Sequence, residues 1–259
     1  MKQAETISRL MRRVLLFCLF AFLPLTAVAQ VGEYRTDLAV GVTAGYMSST
    51  VAFVPEVPQK RLGGVIAGLA VRYTCEKYFK SICAIQAEVN IAQTGWKEDI
   101  RDMNGGAVSY ADGSTLNYER HMTYLQIPFL ARMGWGRERR GLQGFIVAGP
   151  QIGVLLGEST KTNIVKGVPT LTERSSRIVA QDSMPAQRRF DYGIVVGGGI
   201  EFSMPKVGHF ILEGRYYYGL GDFYGNSKSD YFGRSNFGQI VIKATYLFDI
   251  IRTKNDKIK

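Results

Sequence analysis

Apolar and polar residues alternate with a period of two in eight segments: 37–46, 65–74, 83–92, 123–135, 142–156, 189–203, 209–220 and 237–248. That period predicts β-strands with two unlike faces. In the third segment Ile85, Ala87, Val89 and Ile91 oppose Gln86, Glu88 and Asn90. In the eighth, Ile240, Ile242 and Ala244 oppose Gln239, Lys243 and Thr245. The connections alternate as well. Long ones cover about 47–64, 94–121, 157–188 and 221–236, and short ones centre near 78, 138 and 206. Long loops at one rim and short turns at the other are what a transmembrane barrel needs, because its rims face different compartments. Ten or so residues in a tilted strand suffice to cross a bilayer. The predicted fold is all-β: an eight-stranded antiparallel transmembrane β-barrel with short periplasmic turns and long extracellular loops.

Alternation alone does not say which face points outward. A soluble lipocalin-like barrel would turn its apolar face inward around a ligand. Three features favour the membrane form. Gly41, Gly45, Gly193, Gly197 and Gly199 lie on the polar face, which suits a crowded, narrow lumen better than a solvated strand. Aromatics gather near both ends of the apolar face, with Tyr46, Phe190, Tyr192, Tyr216 and Tyr218 at one rim. Tyr73, Trp135, Phe202, Phe210, Tyr246 and Phe248 sit at the other, forming a pair of interfacial girdles. Finally, all four long loops fall on one side.

The amino terminus predicts export. Arg12 and Arg13 precede the apolar run 14–23, Pro24 breaks it, and Ala27-Val28-Ala29 supplies small residues for signal peptidase. Residues 1–29 are therefore read as a cleaved secretory signal, and 30–259 as a single barrel domain with a short basic C-terminal tail. Cys18 lacks a lipobox-like setting. The leader holds four Lys/Arg against one Glu, so its removal lowers the net charge from +10 to +7. A basic chain suits nucleic acid, but an exported one rarely meets any. The charge is better matched to outer-membrane lipid headgroups and lipopolysaccharide.

The polar face carries Arg72, Glu88, Arg132, Asp191, Glu201, Glu213, Arg215 and Lys243, four charges of each sign. At eight strands the lumen is only wide enough for its own side chains, and unpaired buried charge is costly. These eight are expected to form an ion-pair network that plugs the lumen; the alternative is a charged small-solute pore. Cys75 ends the second strand and Cys83 begins the third, on the same face by parity, and an oxidising periplasm favours a disulfide. The alternative is two free wall residues held too far apart. Pro128 cannot donate to a ladder and is expected to mark a bulge.

No catalytic, cofactor or metal site is predicted. A barrel enzyme acting on lipid, an acyl hydrolase or transferase, is the rival class. His209 lies at the turn rim, and His121 near Ser109, Asp112 and Ser114 has no triad spacing. Asp99, Asp102, Asn104 and Asp112 in loop two depart from the order of an EF-type calcium loop. Loop two is net acidic, with five Asp/Glu against three Lys/Arg over 97–120. Loop three is basic through Lys161, Lys166, Arg174, Arg177 and Arg188 against Glu158, Glu173 and Asp182. Such loops either fold onto each other or present a docking surface, so protein partners are expected at the outer loops or the periplasmic rim.

Tyr124-Leu125-Gln126-Ile127-Pro128, Gly197-x-Gly199-x-Glu201 and Glu213-x-Arg215-Tyr216-x-x-Gly219-Leu220 resemble the PorT-type outer-membrane β-barrel proteins of the Bacteroidetes. The resemblance spans roughly 35–250 and implies a non-enzymatic barrel, associated with the type IX secretion machinery as the family's namesake is. One departure is that Phe248 does not end the chain but is followed by Asp249 to Lys259.

Tags inserted at about 105, 170 and 228 should be accessible on intact cells, while those near 78, 138 and 206 should stay hidden. Surface labelling of the second group would reverse the orientation.

Overall fold

The computed structural model describes residues 33–78, 81–110, 113–137, 140–164, 174–176, 178–225, 227 and 230–252. The expected leader, residues 1–29, lies outside them. The compact unit that begins at Tyr34 is a closed antiparallel barrel. Eight long strands form its wall: β1 (Glu33–Val54), β3 (Leu62–Tyr78), β4 (Ser81–Glu98), β5 (Tyr118–Gly136), β6 (Gly141–Thr162), β7 (Phe190–Met204), β8 (Gly208–Gly219) and β9 (Arg234–Ile251). A two-residue strand, β2 (Gln59–Lys60), pairs with the far end of β4. Each long strand pairs with its neighbours in sequence, and β9 closes the ring against β1. Among the described residues no helix is long and apolar enough to cross a membrane, so any crossing is made by strands.

Burial assigns the faces. The polar set is inside: Arg72, Glu88, Arg132, Glu201, Glu213, Arg215 and Lys243 are buried. The apolar set is outside, with Leu69 63% and Ile242 58% exposed. An outward belt of this kind is stable only against lipid. Both aromatic sets lie on it; Phe202, Phe210 and Tyr246 stand in register across β7, β8 and β9.

The lumen glycines face long polar side chains on the next strand. Gly45 is paired with Lys243, Gly197 with Arg215 and Gly199 with Glu213. A Cβ on Gly199 would lie 2.7 Å from the Glu213 Cα, and one on Gly45 2.5 Å from the Lys243 Cβ. Glycine here supplies volume, and the neighbour's charged side chain fills it.

Four expectations need correction. Six of the eight wall strands run beyond their predicted limits at the loop end, β1 to Val54 and β6 to Thr162 for example. There the alternation inverts, with Phe53, Trp96, Tyr118 and Met122 buried inside and Lys97, Glu119 and Lys161 facing out. A search for apolar-out strands stops where that inversion begins. Pro128 causes no register shift: it stands opposite Gln151, and the β5–β6 irregularity falls at Thr123/Tyr124. The chain past Phe248 is not all tail, since Asp249 pairs with Ala39 and β9 runs to Ile251.

Cys75 and Cys83 are both free. A register shift between Thr74 and Glu76 leaves Cys75 without a cross-strand partner and sets Glu76 opposite Cys83. The bulge breaks the parity argument that had placed the two thiols together.

Gly199→Val puts atoms where the β8 backbone lies, 2.2 Å from the Leu212 carbonyl oxygen, and should abolish the compact, fast-migrating form of the unheated protein on electrophoresis. Gly214→Ala, whose added Cβ meets nothing within 4 Å, should retain it. Equal behaviour of the two variants would refute the moulded-lumen account.

Candidate functional site: a sealed lumen and a loop cap

At mid-barrel, Glu88 on β4 is the anchor of a first cluster. Arg215 on β8 donates to both its carboxylate oxygens at 2.7 and 3.1 Å, and Lys243 on β9 approaches at 2.5 Å. Gln86 and Asn90, two residues either side on the same inward face, also donate to Glu88 at 2.7 and 2.9 Å. Glu213 sits 2.7 Å from Arg215 and 3.0 Å from Lys243. Neither approach follows a hydrogen-bond direction, so Glu213 is held by charge alone. Two cations facing two carboxylates leave this cluster neutral.

Glu201 on β7 organises a second cluster nearer the turns. Arg72 donates to it at 2.6 Å, and Arg132 makes a short contact with the same oxygen. Arg132 also stacks over the Phe145 ring, 3.5 Å from its centroid. A cavity of about 30 Å³ lies here, between Arg72, Glu201, His209 and Asp249. It has room for a water or two and none for a solute.

Asp191 departs from the predicted network. It has no cation partner among the described residues and instead accepts a 2.6 Å hydrogen bond from the Tyr217 hydroxyl. Above it the lumen turns from ionic to amide and aromatic: Gln126 donates to Gln239, and Tyr124 packs edge-on against Phe237.

Sequence reasoning passed over one constellation. Ser203 Oγ lies 2.8 Å from His209 Nδ1, whose Nε2 is 3.0 Å from Asp249. The set has the members of a hydrolytic triad. Glu201, however, approaches Nδ1 at 2.6 Å, so both ring nitrogens face carboxylates and donate. No lone pair is left to take the serine proton, and Ser203 is itself buried. The signal was available: residues 203 and 209 pair across the turn 204–208, and both point inward. The histidine noted in the loops, His121, is 3.4 Å from Glu119. Ser109 pairs with Thr115, and Asp112 lies outside the described residues.

The loop end is closed differently. Phe223, Tyr224 and Phe232 of the connection 220–233 pack into the mouth against Phe53 and Trp96, with ring centroids 5.1–6.2 Å apart for Phe53 and its neighbours. Arg120 locks this plug. It donates to Glu158 at 2.8 Å and to the Tyr224 hydroxyl at 3.1 Å, and its guanidinium lies 5.6 Å over the Trp96 ring.

Oppositely charged loops meet above it. Arg174 of loop three lies 3.2 Å from Glu98 and 3.0 Å from Asp182, and Ser175 donates its N–H to the Arg101 carbonyl of loop two. Burial pushes the Glu98 carboxyl up to about 7; Arg174 opposes that rise and Asp182 adds to it. Two other acidic residues of loop two are used nearer by: Asp99 pairs with Lys60 and Arg101, and Asp102 caps the N–H groups of Asn104 and Gly106. Among the described residues no group of three or more His, Cys, Asp or Glu is placed to hold a metal. Lys166, Glu173 and Arg177 lie outside the described residues.

With this geometry in place, the family follows. Residues 28–225 match the outer membrane protein beta-barrel domain, and the chain belongs to that family. Its membership places it in the cell outer membrane. No curated protein matches its sequence. Among solved structures it is similar to Ail, the attachment invasion locus protein of Yersinia pestis, crystallised with the heparin analogue sucrose octasulfate. That likeness has 16% identity over 82% of this chain and 99% of that one, with a TM-score of 0.34. It is also similar to OprG from Pseudomonas aeruginosa, at 11% identity over 84% and 98% of the two chains and a TM-score of 0.41. A third likeness is Neisserial surface protein A, at 10% identity over 82% and 97% and a TM-score of 0.38.

Glu88→Gln leaves Arg215 and Lys243 to share Glu213 and should destabilise the barrel by about 3–5 kcal/mol. Urea unfolding in vesicles, followed by tryptophan fluorescence, measures it; a change under about 1 kcal/mol would mean the cluster is not buried as described.

Proposed function

We propose that this is a non-enzymatic outer-membrane barrel whose lumen is sealed and whose loop end, exposed outside the cell, is its working surface. The supporting observation is the double closure. Ion-pair clusters fill the middle and the turn end, and an aromatic plug fills the other mouth. A small-solute pore would need a continuous wet path, and the Glu88 and Glu201 clusters lie across any such path. The outward wall is committed to lipid. Recognition therefore falls to the loop cap, which is ordered by its own buried ion pairs, as expected of a surface that docks a partner protein or polysaccharide. The resemblance to PorT-type barrels points to a role beside the secretion apparatus, with the cap or the periplasmic rim as the contact.

Purified protein in planar bilayers should give little or no steady conductance. Large, reproducible steps would replace the sealed-lumen reading with a transporter. Crosslinking from loop three on intact cells should capture a defined partner, and deletion should impair protease secretion. Intact secretion in the deletion strain removes the PorT-like role and leaves the sealed barrel.

A further inference from the structure

Charge is spread unevenly along the barrel axis. Beyond residue 29 the chain carries a net +7, and the eight inward ionic residues of the wall cancel, four of each sign. The segments that enter, join and leave the strands at the turn end are 33–37, 75–82, 136–141, 204–208 and 249–259. Together they hold eleven Lys/Arg against six Asp/Glu, a surplus of five. The loops of the opposite end keep the remaining +2. Most of the unbalanced charge thus belongs to the rim that the loop cap does not cover.

The described cations of this set stand in water. Arg137, Arg140, Lys206 and Arg252 are exposed. Arg137, Lys206 and Arg252 lie two to four residues past the girdle aromatics Trp135, Phe202 and Phe248, on the aqueous side of the belt. Arg252 is partly engaged, 2.9 Å from Asp249. Arg137, Arg140 and Lys206 have no carboxylate partner among the described residues.

Lys206 holds its place against a backbone cost. Val207 donates its N–H to the Met204 carbonyl at 3.3 Å, closing a four-residue turn with Pro205 second and Lys206 third, at φ 67°. Proline followed by a positive φ is the mark of a type II turn, whose third position favours glycine or asparagine. A lysine held left-handed there is strained. Nothing among the described residues offsets that strain, because the ammonium finds no anion; an anion from outside the chain would.

The shape of the rim narrows the class of that anion. The cavity at this end, about 30 Å³, admits water and no ligand group. The cations therefore act from separate turns: Arg137 and Arg140 flank the β5–β6 connection, and Lys206 tips the next, between β7 and β8. A small anion finds no enclosing site, whereas a polymer with carboxylates at intervals can touch each turn in succession. The cell-wall polymer beneath an outer membrane has that chemistry, since its stem peptides carry more carboxylates than amines. We infer that the turn rim is a docking surface for the carboxylate-bearing stem peptides of peptidoglycan, with Arg137, Arg140 and Lys206 as its exposed contacts. Contacts of this kind are complementary in charge and weaken with salt. The inference rests on the orientation given above, in which the turns face the periplasm.

The test mixes the full chain, in phosphatidylcholine nanodiscs, with purified sacculi that are either native or amidated on their carboxylates, and measures the barrel carried into the pellet. Wild type should pellet with native sacculi and lose that retention about fivefold or more on amidated ones. The triple variant Arg137→Glu, Arg140→Glu, Lys206→Glu should show the same loss, while Arg61→Glu, exposed at the loop end, should pellet like wild type. Lys206→Asn suits the turn better, so it should keep the compact, fast-migrating form on electrophoresis and still lower retention. No pelleting by wild type, or equal pelleting by wild type and the triple variant or on native and amidated sacculi, overturns the surface. Loss of wild-type retention when phosphatidylglycerol replaces phosphatidylcholine assigns the rim to lipid and overturns it too. Failure of the orientation reads out separately: surface labelling on intact cells would then mark the turns near 138 and 206 instead of the loops.

Discussion

The medium against the wall changes from lipid to water along the barrel axis, and the interior changes in the opposite sense. Where Val42, Leu69 and Ile242 face out, the lumen holds Glu88, Glu213, Arg215 and Lys243. Where Lys97, Glu119 and Lys161 face out, it holds Phe53, Trp96 and Tyr118. The same strands run through both regimes. A strand cannot be apolar on both faces in lipid without losing what fixes its register, nor polar on both in water without losing its core. The crossing point lies near Tyr124 and Asp191, where amides and a single tyrosine–carboxylate bond bridge the ionic and aromatic zones.

Placing charge inside a narrow wall brings its own demand. Each carboxylate removed from water needs cations and hydrogen bonds close by, and a lumen with room for at most a water or two leaves protein groups to supply them. The two clusters meet that demand in different ways. Glu88 is saturated by two cations and two amides, whereas Glu201 is shared by two arginines, a serine and a histidine. His209 is thereby drawn into the ion-pair cluster, with a carboxylate facing each ring nitrogen.

Much of the wall was legible because lipid imposes a strict rule. Every outward position in 65–74 or 237–248 must be apolar, so the period and the inward charges could be read directly. The parts that escaped are those where another constraint overrides the rule. The strand ends beyond Ile91 and Leu156 reverse their polarity, so their pattern reads as loop. Cys75 and Cys83 share parity only if the hairpin is regular, and one inserted residue at Cys75 breaks it. Pro128 costs ladder bonds without shifting the register, because neighbouring strands on both sides hold the alignment. Asp191 carries the same formal charge as Glu88, yet its height in the barrel gives it a tyrosine in place of an arginine. Height along the axis is a three-dimensional quantity that parity does not encode.

The pairing of each lumen glycine with a long side chain across the ladder has an evolutionary corollary. Gly45 with Lys243, Gly197 with Arg215 and Gly199 with Glu213 each behave as a mould and its cast. Enlarging the mould alone collides with the cast, and shrinking the cast alone strips a counter-charge from the opposite wall. Sequence drift inside this barrel must therefore proceed by coupled exchanges, while the lipid-facing wall, bound only to remain apolar, drifts one residue at a time.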